Sequence, residues 1–235
     1  MTAGYEDRAA DWIRLARREG HDAYWRYREA FFELVPSAPA RLLEVGCGEG
    51  RVARDLADRG HTVTGLDISP SLVAAAAEAD SRPSFVVGDA AALPFPDAAF
   101  DIVVSYNSLI DVADMRTAVA EAGRVLRPGG HFCVCVPHPL SDAGEFVGTH
   151  DDARFVVEGS YLAESDYEFL SDRDGIRFRF ASRRYPLEAY SRALEDAGLA
   201  LEALREPPLP GPDGDRRTRI PLFLLWRAVK RGACA

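Results

Sequence analysis

RLLEVGCGEGRVARDLADRGHTVTGLDIS, residues 41–69, decides the fold. Its first five residues read as a short apolar strand ending at Val45. Gly46, Gly48 and Gly50 then make a turn whose backbone can approach a ligand without interference from a Cβ. Val52, Ala53 and Leu56 begin an amphipathic helix, and residues 61–66 form a second apolar strand running into Asp67. In a strand, helix, strand unit both strand ends lie on one rim of the sheet, so the glycine turn and the Asp67 carboxylate face a common crevice. That crevice suits an adenosine with a ribose diol.

The glycine spacing separates two kinds of nucleotide site. A dinucleotide fingerprint anchored at Gly46 would need its third glycine at position 51, where Arg51 is too large for close packing of helix on strand. A nicotinamide oxidoreductase would also need a second mononucleotide half, so that reading is the weakest. Glu44, just ahead of the turn, gains nothing from a pyrophosphate. It suits a cofactor carrying an ammonium and a sulfonium, as S-adenosylmethionine does.

Downstream of this stretch stand VVGDAAALPFPDAAFDIVVS and then RVLRPGGHFCV. With these segments in this order, the chain resembles the class I S-adenosylmethionine-dependent methyltransferases, in the broad branch that includes many small-molecule methylating enzymes. LLEVGCGEG is similar to the first motif of that family and GLDIS to its ribose-binding strand end. The first downstream segment resembles the adenine-binding and fourth-strand region and the second the approach to the fifth strand, so that the match spans residues 41–137. The resemblance implies that Gly46 and Gly48, with Cys47 between them, approach the methionine part of the cofactor, while Asp67 bonds the ribose hydroxyls. Ile68 would pack on the adenine face and Asp89 with Ala90 would meet its edge. Asn107, after the fourth strand, is placed for the methionine portion.

Composition agrees with a single domain over residues 1–235. A chain of 235 residues with 47% hydrophobic content can bury one sizeable core. A net charge of −9 argues against a nucleic-acid substrate, which wants a basic face. The basic runs at 14–18, 177–184 and 216–219 read mainly as solvated faces. No apolar run approaches a membrane span and the N-terminal residues have no signal core, so a cytoplasmic protein is expected. Cys47 lies in the turn, Cys133 and Cys135 share one face of an apolar strand, and Cys234 is in the tail. Neither these nor the five histidines show metal-ligand spacing, so no metal is expected.

Alternation of strand and helix predicts an α/β fold: a doubly wound, Rossmann-like, mostly parallel seven-stranded sheet with helices on both faces. Helices are expected from Ser69, as a cap, through the following alanines, over DMRTAVAEAGRVL, and over PLEAYSRALEDAGL up to Gly198. SFVVGD, FDIVVSY and HFCVCVP are the third to fifth strands, with residues 127–130, RPGG, stopping the helix ahead of the fifth. LALEALRE and RIPLFLLWRAV are the last two, and the resemblance implies an antiparallel last strand. Residues 39–137 form the cofactor-binding half and 185–235 the C-terminal helix and strands.

Two segments fall outside the alternation, and the acceptor should be read there. Residues 1–38 are aromatic-rich with helical spacing, a lid carrying Trp12, Tyr24, Trp25 and Tyr27. Residues 138–184 follow the fifth strand as a cap over the acceptor pocket. Tyr24, Trp25, Tyr161 and Arg184 are the candidate acceptor contacts, with His150 and Tyr167 nearby. His138, leaving the fifth strand at the cofactor rim, is the candidate general base. Asp111 reads as a loop or helix-start carboxylate where many relatives carry histidine. SYNS lacks the pattern of enzymes that methylate amino groups of nucleic acids and glutamine. The expected function is methyl transfer to an oxygen, nitrogen or carbon of a small molecule, with secondary metabolites among the acceptors and the oligomeric state open. The alternative is a non-methylating catalyst or binding protein that keeps the cofactor on the same scaffold.

Overall fold

Three helices precede the first strand in the computed structural model, which describes residues 3–20, 22–173, 176–208 and 215–232. They are α1 (Ala3–Glu6), α2 (Ala9–Ala16) and α3 (Tyr24–Phe32). The alternating half follows as β1 (Arg41–Val45), α4 (Arg51–Asp58), β2 (Thr62–Asp67), α5 (Pro70–Ala79), β3 (Ser84–Val87), β4 (Phe100–Tyr106), α6 (Met115–Val125) and β5 (Leu126–Pro137). Then come α7 (Pro139–Asp142) and two hairpins, β6 (Gly144–Val147) with β7 (Arg154–Val157), and β8 (Ser165–Arg173) with β9 (Ile176–Arg184). The chain returns to the sheet through α8 (Leu187–Asp196), β10 (Leu199–Arg205) and β11 (Phe223–Lys230).

Seven strands form one sheet in the order β3, β2, β1, β4, β5, β11, β10. All neighbours are parallel except at β11, the last strand of the chain, which runs antiparallel to both β5 and β10. Alternate residues of the central strands face opposite layers, as the pleat requires. Leu43, Val103, Phe132 and Val134 pack with Met115, Val119, Tyr190 and Leu194 of α6 and α8. Leu42, Ile102, Val104, Cys133 and Cys135 pack on the other side with Tyr27 and Phe31 of α3 and Val52 and Leu56 of α4. The two cysteines thus sit on one face, fully buried.

Local chemistry sets the helix ends. Ser69 accepts a hydrogen bond from the Leu72 N–H ahead of Pro70, and Asp114 accepts from Arg116 and Thr117 at the start of α6. Gly198, with φ +69°, closes α8.

Three local features differ from the sequence reading. The N-terminal helical pattern breaks after α2, where Gly20 takes φ +72°, so the lid is three short helices. RPGG is not a free turn: β5 begins at Leu126, and the glycines absorb a register shift opposite residues 100–102, with Gly130 packed against the Asp101 carbonyl. Residues 165–173, given no element within the cap, form β8 by pairing with β9, Asp166 lying opposite Arg183. Among the described residues, no helix is long and apolar enough to cross a membrane. Cys234 lies outside them.

Candidate cofactor and acceptor site

The carboxyl ends of β1, β2, β4 and β5 open on one cavity of about 520 Å³, within the range of small-molecule sites. Its floor is the glycine turn. Gly46, Gly48 and Gly50 have φ of +73°, +55° and +83°, the left-handed region that side chains avoid. The N–H groups of Gly46 and Cys47 donate to the Leu66 carbonyl at 2.8 and 3.0 Å, tying the turn to β2. Ser108 Oγ donates to the Val45 carbonyl at 2.7 Å and fills the space beside Gly46.

Asp67 clamps the turn from the other side. Its Oδ2 accepts from the Gly48 N–H at 2.8 Å and its Oδ1 from the Ser69 N–H at 2.9 Å. Burial raises its pKa, and those backbone donors pull against the rise. Glu44 is only 2% exposed and its Oε2 has no hydrogen-bond partner. Burial, reinforced by the nearby Asp67 charge, holds its carboxyl well above the ordinary range, with Arg51 opposing. A buried carboxyl oxygen left unpaired on a cavity wall fits a ligand that brings its own cationic donor.

Glu44, Gly46, Cys47, Gly48, Asp67, Ile68, Asp89, Ala90 and Asn107 all line this one cavity. Asn107 takes φ +54° and donates its N–H to the Cys135 carbonyl at 2.8 Å, so β5 holds its backbone at the rim. Asp89 Oδ1 accepts from the Ala91 N–H at 2.9 Å, shaping its loop.

The N-terminal helices close over this floor. The Trp12 indole lies over Gly48, where an added Cβ would come within 3.2 Å of Nε1, and its ring meets Phe180 of β9 edge-on at 6.1 Å. Tyr5 donates to Asp111 Oδ2 at 2.9 Å and Ser182 of β9 to Asp111 Oδ1 at 2.5 Å. Glu6 accepts from Ser69 and from Ser71 Oγ, the latter at 2.6 Å, and Arg17 Nε reaches Glu49 Oε2 at 3.1 Å. One carboxylate, Asp111, therefore joins lid, β4 loop and cap. Burial lifts its pKa to about 6 although the Ser182 and Tyr5 hydroxyls lower it.

Of the candidate acceptor contacts, Arg184 lines the cavity, its guanidinium 4.7 Å from the Tyr167 ring. Tyr24 and Trp25 do not. The Tyr24 hydroxyl donates to Asp55 at 2.6 Å and its ring packs on Tyr106, while the Trp25 N–H is taken by the Arg18 carbonyl at 3.2 Å. Tyr27 is buried against Phe223. Tyr161 accepts from the Leu187 N–H at 3.2 Å, off the wall, and His150 is exposed beside Asp152. His138 is also off the wall: Nδ1 accepts from the Leu140 N–H at 3.0 Å and Nε2 is bonded to Glu206 at 2.8 Å. Nδ1 starts α7 after β5 and Nε2 ties its start to Glu206, so both ring nitrogens are taken. The basic runs are largely paired internally, Arg17 with Glu49, Arg183 with Glu164 and Asp166, and Arg217 with Asp215.

Tyr5, Asp142 and Ser182 line the cavity although sequence reasoning does not single them out. Asp142 alone carries a signal, standing just after a His–Pro pair able to start a short helix. A second chamber of about 420 Å³, lined by Arg26, Phe146, Phe155 and Ile220 among others, shares Ala23, Ser141, Gly144 and Leu222 with the first.

The methyltransferase-domain family matches residues 43–134. The chain is 36% identical over 215 residues to 27-O-demethylrifamycin SV methyltransferase of Amycolatopsis mediterranei (strain S699), covering 80% of this chain and 77% of that protein. It is 35% identical over 161 residues to demethylmenaquinone methyltransferase of Tropheryma whipplei (strain Twist), 64% of this chain but only 65% of that protein's length. The crystal structure of an S-adenosylmethionine-dependent methyltransferase from Mesorhizobium loti superposes with a TM-score of 0.72 at 24% identity, covering 88% of this chain and 98% of that one.

Proposed function

This chain belongs to the class I S-adenosylmethionine-dependent methyltransferases, and from that premise we propose that it transfers the cofactor's methyl group to an oxygen, nitrogen or carbon of a small organic molecule. The observation that carries the proposal is the unpaired Glu44 Oε2, buried beside the glycine turn and Asp67, a fit for the ammonium of a cationic adenosyl cofactor. The Amycolatopsis and Tropheryma relatives act on a rifamycin and on a demethylmenaquinone. They support a small-molecule organic acceptor, and we place the reaction in secondary metabolism and in the cytoplasm. We assign all 235 residues to a single methyltransferase domain.

When bound, the cofactor supplies a methyl group already made electrophilic by the sulfonium. The chain's own residues bind, orient and exclude water. Glu44 would hold the ammonium, the turn at Gly46, Cys47 and Gly48 and Asn107 would take the methionine part, and Asp67 the ribose diol. Ile68, Asp89 and Ala90 would border the adenine, and Arg184 would serve the acceptor. Calorimetric titration with S-adenosylmethionine, S-adenosylhomocysteine and NAD tests the proposal. Micromolar binding of both adenosyl ligands and none of NAD is expected; no adenosyl binding would sink it.

Glu44 gives that binding a pH dependence of definite sign. Wherever the raised carboxyl of the free site holds a proton, an arriving ammonium drives it off, so binding there releases a proton and affinity rises with pH. Affinity is lost as pH falls through the raised value of the free site. Calorimetry in buffers of different ionisation enthalpy should detect the released proton in the native protein and not in Glu44→Gln. Equal proton counts in the two would contradict the assignment.

A further inference from the structure

We propose that Asp142 is a catalytic base that takes the proton of the acceptor's reacting hydroxyl, and that the acceptor is a phenol or enol. This rests on the methyl-transfer reading of the same cavity. Asp142 ends α7, the first turn of chain after β5, and lines the cavity that the glycine turn floors. Among the described residues, no hydrogen bond reaches its carboxyl, unlike Asp111, whose two oxygens are taken by Tyr5 and Ser182. A carboxyl that lines a cavity with no protein donor is free to take a proton from a ligand there.

Its position is nevertheless fixed. His138 bonds Glu206 and the Leu140 N–H, and the Asp142 N–H donates to the His138 carbonyl at 3.0 Å, so the short helix that carries this carboxylate is anchored at its start. Arg184 of β9, Tyr167 of β8 and Tyr190 of α8 lie close enough to share its electrostatic field. Burial lifts its carboxyl to about 6, with Arg184 pulling the other way. A base of that strength lies about four units from a phenolic hydroxyl, taking about 10 for the phenol. An aliphatic alcohol is far more weakly acidic, so the same base serves it less well. The nearby wall agrees: Tyr106, Ile110, Val112, Leu222 and Phe223 offer apolar surface for a planar ring.

In the step, the acceptor's O–H bond breaks and the proton passes to an Asp142 oxygen. The electron pair left on the acceptor oxygen forms the new bond to the methyl carbon as the carbon–sulfur bond breaks, its pair staying on sulfur. Ser141 and Gly144, on either side of Asp142, line both chambers, so the body of a larger acceptor has room beyond the reacting hydroxyl.

The test uses the full chain saturated with S-adenosylhomocysteine and titrated with 2-naphthol and with its methyl ether, 2-methoxynaphthalene. Above the titration of Asp142, the native protein should bind the naphthol about tenfold more tightly, as one charge-assisted hydrogen bond allows. That preference should fade as pH falls through about 6. Asp142→Asn should bring the two ligands to within about twofold while S-adenosylhomocysteine affinity stays unchanged, and should lower kcat by ~10² or more for any naphthol that is methylated. Asp142→Ser gives the same readout if the amide disturbs α7. Equal affinities in the native protein, binding of neither probe, or an undiminished preference in the variants would overturn the proposal. Failure of S-adenosylhomocysteine itself to bind would instead overturn the methyl-transfer reading beneath it.

Discussion

Gly46→Ala should cost the protein about 3 kcal/mol or more and lower its melting temperature by roughly 6–12 °C, at the usual 2–4 °C per kcal/mol for a chain of this size. Two independent penalties meet at this residue. An alanine held at φ +73° loses about 1–2 kcal/mol from backbone strain alone. Its Cβ would also stand 2.3 Å from Ser108 Cβ, far inside contact distance. Ser108 cannot step aside cheaply, since its hydroxyl is bonded to the Val45 carbonyl at 2.7 Å and to Ser105 Oγ at 2.6 Å. Gly159 supplies the control: it has φ +71° and no atom within 4 Å of an added Cβ, so Gly159→Ala should show the strain alone. Calorimetric melting of both variants measures the difference. Matching melting temperatures would mean that the contact beside Gly46 contributes nothing.

Asp67→Ala should weaken S-adenosylhomocysteine binding by roughly 10–100-fold, corresponding to about 1–3 kcal/mol of hydrogen bonding to a charged acceptor. The carboxylate does two jobs. It accepts from Gly48 and Ser69, holding the turn and the start of α5 in register, and it faces the cavity where a ribose diol would lie. Asp67→Asn keeps the size and removes the paired acceptors. One amide oxygen can serve only one of the backbone donors well, while the NH₂ group opposes the other, so the turn should loosen although the side chain keeps its size. Both variants should lose affinity, and alanine should also lower stability. Unchanged affinity in either would remove Asp67 from the cofactor contacts.

Much of the cradle is legible in the contiguous run of residues 41–69, because strand periodicity, glycine turn and terminal carboxylate are local signals. The antiparallel last strand is expected only through resemblance, for nothing in residues 223–230 states a direction. The acceptor side is less legible. Tyr24 and Trp25 look like pocket aromatics in sequence, yet Asp55 and the Arg18 carbonyl claim their polar atoms. His138 marks the right corner of the fold, but two partners far and near in sequence, Glu206 and Leu140, occupy its ring. Asp142 has only the His–Pro pair ahead of it as a signal, and its place on the cavity shows once α7 is folded. Tyr5 gives no signal at all, since its contact with Asp111 spans 106 residues.

The two chambers have a consequence for binding. The floor that would hold the cofactor lies under Trp12 and beside the bonds that Tyr5, Glu6 and Arg17 make, so the N-terminal helices would cover a cofactor seated there. Ser141 and Gly144 border both chambers, so an acceptor larger than the main cavity would extend into the second one. Cofactor retention and acceptor size would then answer to different parts of the chain, the N-terminal helices for the first and α7 with β6 for the second.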